Sequence, residues 1–382
     1  MTHPLRALIL GSGFAGKGHT QALRDAGVEV VGMVSRTAEV VRQVATELNI
    51  EYASTNWNDA LRELQPDIVA IGTPGGAHFE PIMAALDYGC HVYCDKPLAA
   101  TAAEARTLYL RAREAGVKTA YAASYRYQPH ALLAKELILS GAIGEPEEVE
   151  CISHYNLNPL IPFGWSHQLS QGGGRLNNNF THKLAIIQNI LGGQVLAVNG
   201  EVRNDLPAAP IVSGVHDFRE REHFAPAANH LDDVEWGQGD AEWSYTVMAR
   251  IQPEYAVSQP VSALFKHSGL QPRYHEDYVA IYGSEAALYI GGSYAQGPLY
   301  RHRRNAQWEE IAVPRHILNA LPDTVDDTQR NWTQLAREFV ADISGEGTPD
   351  YQTFKDGWIY QEIIEAVRSS SGWFEVPQDV AQ

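Results

Sequence analysis

LRALILGSGFAGKGHTQALRD, residues 5–25, is the stretch that decides the fold. An apolar run ends at Leu10, three glycines follow at Gly11, Gly13 and Gly16 with Phe14 and Ala15 between them, and a helical pattern begins. The spacing fits G-x-G-x-x-G after a buried strand, and each glycine has its own physical role. The first makes the tight turn, the second lets the backbone approach a pyrophosphate, and the third lets the helix pack closely on the strand. The helix start behind them offers unpaired N–H groups and the positive end of a dipole to the phosphates. A glycine-rich turn is often only a turn; the strand, turn and helix in succession favour a dinucleotide site.

Working outward, further apolar runs occur at VEVVGMV (28–34), DIVAIGT (67–73), HVYC (91–94) and VKTAYAA (117–123). Helical stretches such as AEARTLYLRARE (103–114) separate them. This alternation predicts a doubly wound parallel sheet. Ligands of such sheets lie beyond the carboxyl ends of the strands. That rim holds Thr73 and Pro74, then Asp95, Lys96 and Pro97, then Ser124, Tyr125 and Arg126. After the second run an NAD binder usually carries an acid for the ribose hydroxyls, whereas Ser35, Arg36 and Thr37 stand here. A guanidinium with two hydroxyls suits a 2′-phosphate, so NADP is favoured over NAD. The alternative is that Arg36 stacks on adenine in solvent and both cofactors are accepted.

At 382 residues the chain is too long for one core, and two domains are expected, 1–124 and 125–382. The net charge of -17 repels phosphate backbones and anionic lipid, which argues against nucleic-acid and membrane partners. No run approaches the eighteen apolar residues of a membrane span, and the N-terminal apolar run is too short for a signal peptide. Cys90, Cys94 and Cys151 cannot build a disulfide framework and fit a reducing, cytoplasmic setting; no metal site is expected.

GSGFAGKGH, then GTPGGAHFEPIMAALDYGCHVYCDKPLAAT, then YRYQPHALLAKELILSGAIGEPEEV, GGGRLNNNFTH and TFKDGWIYQEIIEAVRSSS follow one another as landmarks. In that order they resemble the Gfo/Idh/MocA oxidoreductases, the glucose-fructose oxidoreductase and inositol dehydrogenase family. The resemblance implies an N-terminal Rossmann domain, a C-terminal α/β domain on a large, mostly antiparallel sheet, and a sugar or polyol between them. It places Thr73, Pro74, His78, Asp95, Lys96 and Arg126 on the cofactor side. The family's catalytic lysine falls on Lys96, with Asp95 replacing the usual Glu; the alternative is a structural Lys96 paired with Asp95. An ammonium there stabilises the alkoxide that forms as hydride leaves carbon.

The family's D-x-x-x-H pattern falls on Asn178 and His182, so the aspartate is an amide here. His182 reads as the start of a helix, whose dipole would keep the ring neutral and able to take a proton. The three asparagines 177–179 alternatively cap that helix. Phe180 stands where relatives often have glycine and is expected to narrow the pocket or stack on a sugar.

EPEEVECISHYN (145–156) reads as a strand entering the second domain. The resemblance makes His154, Tyr155 and Asn156 substrate-facing, and Trp165 and Arg175 lie on neighbouring segments. EWSYTVMARIQ, VSALFKHSG, DYVAIYGS and AALYIGG read as further strands. Residues 201–240 lack periodicity and are long for a connection, which suggests a lid or an oligomer arm. Their His216, His223 and His230 have no ligand spacing. If Arg126, Arg175, Lys183 and Arg273 converge, the substrate is an anionic sugar.

The expected function is hydride transfer between a nicotinamide cofactor and a secondary alcohol or ketone of a sugar or polyol. A glycoside hydrolase acting by transient oxidation and elimination would use the same residues. A non-catalytic cofactor sensor is the third reading, which the presence of both Lys96 and His182 opposes. Family resemblance further implies a homodimer or homotetramer.

Overall fold

The structure is a computed structural model and describes residues 4–379 except 216, 218, 228–230, 256, 273–275 and 347–349. β1 (Arg6–Leu10) runs into Gly11 at φ +114°, where a Cβ would stand 2.6 Å from the Gly72 carbonyl oxygen. α1 (Phe14–Asp25) leaves that turn so close to the strand that a Cβ on Gly16 would lie 2.0 Å from the Gly11 oxygen. Two of the three glycines are therefore fixed by backbone contact.

β2 (Glu29–Val34), β3 (Tyr52–Ser54), β4 (Ile68–Ile71), β5 (His91–Cys94) and β6 (Thr119–Tyr121) complete a parallel sheet in the order 3-2-1-4-5-6. The short β3 gives no apolar signal in the sequence. α2 (Ala38–Glu47), α3 (Trp57–Leu64), α4 (Phe79–Asp87) and α5 (Ala102–Ala115) connect the strands.

α6 (Pro129–Leu139) leads to β7 (Pro146–His154). α7 (Thr181–Leu191) then ends at Gly192 in the left-handed region and feeds β8 (Gly193–Arg203) directly. β9 (Ala208–Pro210) and β10 (Trp236–Gln238) form a two-stranded clasp. The chain continues through β11 (Ser244–Pro253), β12 (Val261–Ser268), β13 (Tyr278–Gly283), β14 (Ala286–Gly291), β15 (Leu299–Arg303) and β16 (Glu309–Ile311). After α8 (Arg315–Ala320), α9 (Asp327–Ile343) and α10 (Phe354–Ser369), β17 (Phe374–Glu375) closes a nine-stranded sheet ordered 16-15-14-13-7-12-11-8-17. Only the β7–β12 pairing is parallel. The connection read as 201–240 is shorter than expected, because β8 extends to Arg203 and the clasp ties the two ends of what remains into a strap.

The chain does not stay in its second half. α9 returns to pack on α1, with the Trp332 ring so close to Gly18 that a Cβ there would sit 2.0 Å from it. Phe14 and His19 rings lie 5.0 and 4.8 Å from Trp332. Removing a buried indole costs about 3–5 kcal/mol, so Trp332→Ala should lower the denaturant midpoint followed by circular dichroism. An unchanged midpoint would show that the α1–α9 contact does not hold the molecule together.

Candidate active site

The GGGRL stretch is held rigidly rather than being a slack loop. Gly172 and Gly174 have φ of +74° and +95°, and a Cβ on Gly174 would lie 2.2 Å from a Glu242 oxygen. Gly172 also rests on the turn after β4, where its Cβ would stand 2.9 Å from the Gly75 Cα. On the same interface a Cβ on Gly76 would meet the Ser170 oxygen at 2.3 Å. The second domain thus lies directly on the rim of the parallel sheet.

From Leu176 to Phe180 the chain makes a π-helical turn that runs without a break into α7. Such turns occur often at functional sites. His182 consequently lies inside a helix and not at its start, which corrects the sequence reading. The free amides lie upstream, where Leu176 N–H donates to Glu242 Oε1 at 2.9 Å, and a helix dipole acts mainly within the first turn. Glu242 is held in place by Arg368, whose Nε and Nη2 donate to its two oxygens at 3.0 Å each.

His182 is 7% exposed and its proton affinity is driven well below the usual histidine range, by burial first and by the Lys96 ammonium second. Its ring meets those of Tyr125 and Tyr294 edge-on at 4.6 and 5.5 Å. Nδ1 is buried with no hydrogen-bond partner among the described residues, so no protein group fixes the tautomer. Lys96 is half-buried at the end of β5, and burial lowers its pKa while Asp95 opposes the shift and Arg175 adds to it. Asp95 itself accepts the Lys96 N–H at 2.7 Å.

The three asparagines point to different partners and none caps a helix. Asn177 donates to the Gly173 oxygen, and Asn179 joins the Tyr245 and Tyr294 hydroxyls. Asn178 lines a small cleft of about 10 Å³, together with Trp165, Arg175, Arg221 and Trp243. Phe180 is fully buried against Tyr245 and Phe265, at 5.7 and 5.2 Å, and does not reach that pocket. This corrects the expectation that it narrows the site.

The remaining expected residues divide. Tyr155 is half-buried beside Arg175, whose Cζ is 5.7 Å from its ring, whereas Asn156 is exposed and bridges to Leu270. His154 is half-buried, and its N–H donates to Asp277 at 2.9 Å. His78 is fully buried: Nε2–H donates to the Thr73 oxygen at 2.7 Å, and the neutral Nδ1 lies 3.4 Å from the Cys94 thiol. Arg126 is 8% exposed and donates to Asn189 at 2.7 Å, with Asp350 at 3.4 Å. His78 and Arg126 thus brace the scaffold. Lys183 is fully buried on Ser153 and two carbonyls, so the expected convergence of cations involves Arg175 but not Arg126 or Lys183. Arg273, His216 and His230 lie outside the described residues.

Sequence reading missed Arg221, Trp243, Tyr294 and the Glu242–Arg368 pair.

Gly13 differs from its two neighbours in the glycine turn. No atom lies within 4 Å of its Cβ position and no side chain caps α1, so the helix start faces open space of the kind a pyrophosphate occupies. Ser12 and Ser35 hydroxyls meet at 2.9 Å beside it, while Arg36 is exposed with no hydrogen bond or ion pair among the described residues. The turn fits a dinucleotide.

Residues 5–123 match the oxidoreductase family with an NAD-binding Rossmann fold, and residues 131–293 match the GFO/IDH/MocA C-terminal domain. The chain belongs to the Gfo/Idh/MocA family. It is 29% identical to levoglucosan dehydrogenase of Pseudarthrobacter phenanthrenivorans over 221 residues, 55% of this chain and 56% of the relative. It is 33% identical to 1,5-anhydro-D-fructose reductase of Ensifer adhaerens over 153 residues, 40% and 46% of the two chains. The matched stretch thus spans about half the length of these relatives. A solved levoglucosan dehydrogenase in complex with NADH superposes with a TM-score of 0.81 at 20% identity, over 99% of this chain and 100% of that one. That likeness is one of fold. Among the described residues, no helix is long and apolar enough to cross a membrane.

Proposed function

We propose that the protein is an NADP-preferring oxidoreductase that moves a hydride between nicotinamide and a secondary alcohol or ketone of a sugar or polyol. The observation that carries this reading is a buried His182 held neutral by burial and by the charge of the Lys96 ammonium. The glycine turn with Gly11, Gly13 and Gly16 would hold the pyrophosphate, and Ser35, Arg36 and Thr37 the adenosine ribose and its phosphate. When bound, the cofactor accepts or supplies the hydride. Lys96 holds the substrate oxygen and stabilises its negative charge. His182 takes the hydroxyl proton in the oxidative direction and returns it in the reductive one. Tyr125 and Tyr294 keep the ring edge-on and exclude water from one side. The relatives' sugar-derived names support the substrate class.

The test is a screen of neutral and acidic sugars, polyols and aryl glycosides with NADP and NAD, following reduced cofactor and aglycone together. Absence of cofactor reduction with every compound would overturn the reading, and aglycone release without net reduction would replace it with a glycosidase.

Arg36 supports the NADP preference because it stands exposed at the adenosine end with no hydrogen bond or ion pair among the described residues. A charge-assisted contact to phosphate changes affinity by roughly ten- to hundredfold. Arg36→Ala should weaken NADP binding by that factor and leave NAD little changed; equal loss for both would assign Arg36 to adenine stacking.

The proposal extends to a cytoplasmic homodimer or homotetramer acting on a carbohydrate that carries a negative charge. Three buried free cysteines suit a reducing setting. The sheet face bearing Met248 and Tyr282, 44% and 37% exposed, supports pairing between copies. Arg175 and Arg221 support the charge on the substrate.

A further inference from the structure

The strap between β9 and β10 reaches back across the domain boundary to the glycine turn. Arg219 on the strap has its Cζ 3.4 Å from the centroid of the Phe14 ring, and Phe14 directly follows Gly13 at the start of α1. Two residues further on, Arg221 is seated in the second domain, where Nη1 donates to Ser166 Oγ at 2.6 Å. The chain from 219 to 221 therefore passes from one domain to the other. Arg219 is exposed, and its guanidinium makes no hydrogen bond or ion pair among the described residues. Of the acids beside it in sequence, Asp217 accepts the Arg219 backbone N–H at 2.8 Å, and Glu220 forms no ion pair with it. Burial pushes the Tyr125 phenol up, while the Thr328 hydrogen bond and the Arg219 charge oppose that push. The Tyr125 ring lies 4.6 Å from that of His182. The Arg219 charge is thus within reach of both the glycine turn and the residues beside His182.

We propose that Arg219 is a ligand for the diphosphate of the dinucleotide, supplied to the glycine turn by the strap of the second domain. This role rests on the dinucleotide part of the oxidoreductase reading and not on its substrate. Two sets of N–H donors then face one anion. One is the start of α1 at Gly13, which no side chain caps and where no atom lies within 4 Å of the Cβ position. The other is the guanidinium held beside it on Phe14. Stacking on a ring uses the face of a guanidinium and leaves its in-plane N–H groups for phosphate oxygens. The Phe14 ring is itself packed on Trp332 at 5.0 Å, so the cation rests on a fixed platform. In a chain of net charge -17, a cation at this point offsets the repulsion that two phosphates would otherwise meet. Because the strap carries it, the dinucleotide joins the two domains and must part from the strap before it leaves.

The test is calorimetric titration of ADP-ribose, NADH and NADPH into the parent protein, Arg219→Gln and Arg219→Lys. All three ligands share the diphosphate, so Arg219→Gln should weaken each by roughly tenfold or more, and Arg219→Lys should restore part of the affinity. NADH and NADPH should lose alike, in contrast to the selective loss expected of Arg36→Ala. With the charge gone, affinity should also fall less steeply with added salt than it does in the parent. Arg219 is exposed and lies outside both main sheets, so its variants are expected to fold. Unchanged affinity in Arg219→Gln overturns the proposal. So does a loss for NADH and NADPH that spares ADP-ribose, which would move Arg219 to the nicotinamide. A loss with unchanged salt dependence would overturn it as well, leaving Arg219 as an anchor of the strap on Phe14. Each of these results keeps the oxidoreductase. Failure of the parent to bind any of the three ligands would overturn both readings. Binding through Arg219 without cofactor reduction by any sugar would keep the diphosphate contact and overturn the oxidoreductase.

Discussion

Lys96→Met is expected to lower kcat by about 10²-fold or more while dinucleotide binding, followed by quenching of protein fluorescence, stays near that of the parent. The reasoning starts from position. Lys96 lies two residues beyond the end of β5, where the parallel sheet meets the second domain; its charge bears on His182, and that of Arg175 bears on it. The glycine turn that would hold the phosphates lies after β1, so removing the ammonium leaves the phosphate contacts intact. Methionine keeps the length and apolar stem of lysine, which limits any packing defect. Loss of the charge also removes one of the two causes that hold His182 neutral, so the His182 titration followed by NMR should move up toward 6.5 in the variant. Retention of more than about a tenth of the parent rate would show that the charge does not act on the reacting oxygen.

The second large effect belongs to His182. In the oxidative direction the ring works as the neutral base, so activity is lost as pH falls through its pKa. Burial and Lys96 place that pKa well below 6.5, and the acid limb of the rate should therefore lie below the range of a free histidine. His182→Ala should lower the rate by about 10²–10⁴-fold and remove the limb. Asn178→Asp places a negative charge one turn away, favours imidazolium, and should shift the limb to higher pH. A profile that does not move in Asn178→Asp would separate the two residues; a limb that persists in His182→Ala would give the proton transfer to Lys96 or Tyr155.

Legibility in the sequence followed the range of the forces involved. The glycine turn was readable because strand, turn and helix are local, and the structure ties Gly11 and Gly16 to contacts within a few ångströms. β11, β12 and β14 were readable because burial largely alternates along each, and β13 because it is an apolar run buried on both faces at Val279, Ala280 and Ile281. β15 and β16 were not: they are short and carry mostly polar residues. The start of the His182 helix was misplaced because a π-helical turn has no residue signature, and three asparagines argue against helix. Phe180 was assigned to the pocket by its neighbours in sequence, although the side chain turns into the core. His78 and Arg126 occupy landmark positions, yet the structure engages both with buried scaffold groups. Arg221 and the Glu242–Arg368 pair could not be found, because their partners lie 55 and 126 residues away along the chain.

The return of α9 to α1 has a consequence for anyone wishing to recombine this chain with its relatives. A cut at residue 124 looks natural from the order of strands, and cofactor preference could then be exchanged by grafting one N-terminal half onto another. The surface of α1 around Phe14, Gly18 and His19 is, however, completed by Trp332 from more than three hundred residues downstream. The transferable unit is accordingly discontinuous, and a working chimera needs residues 327–343 to travel with the donor's first 124.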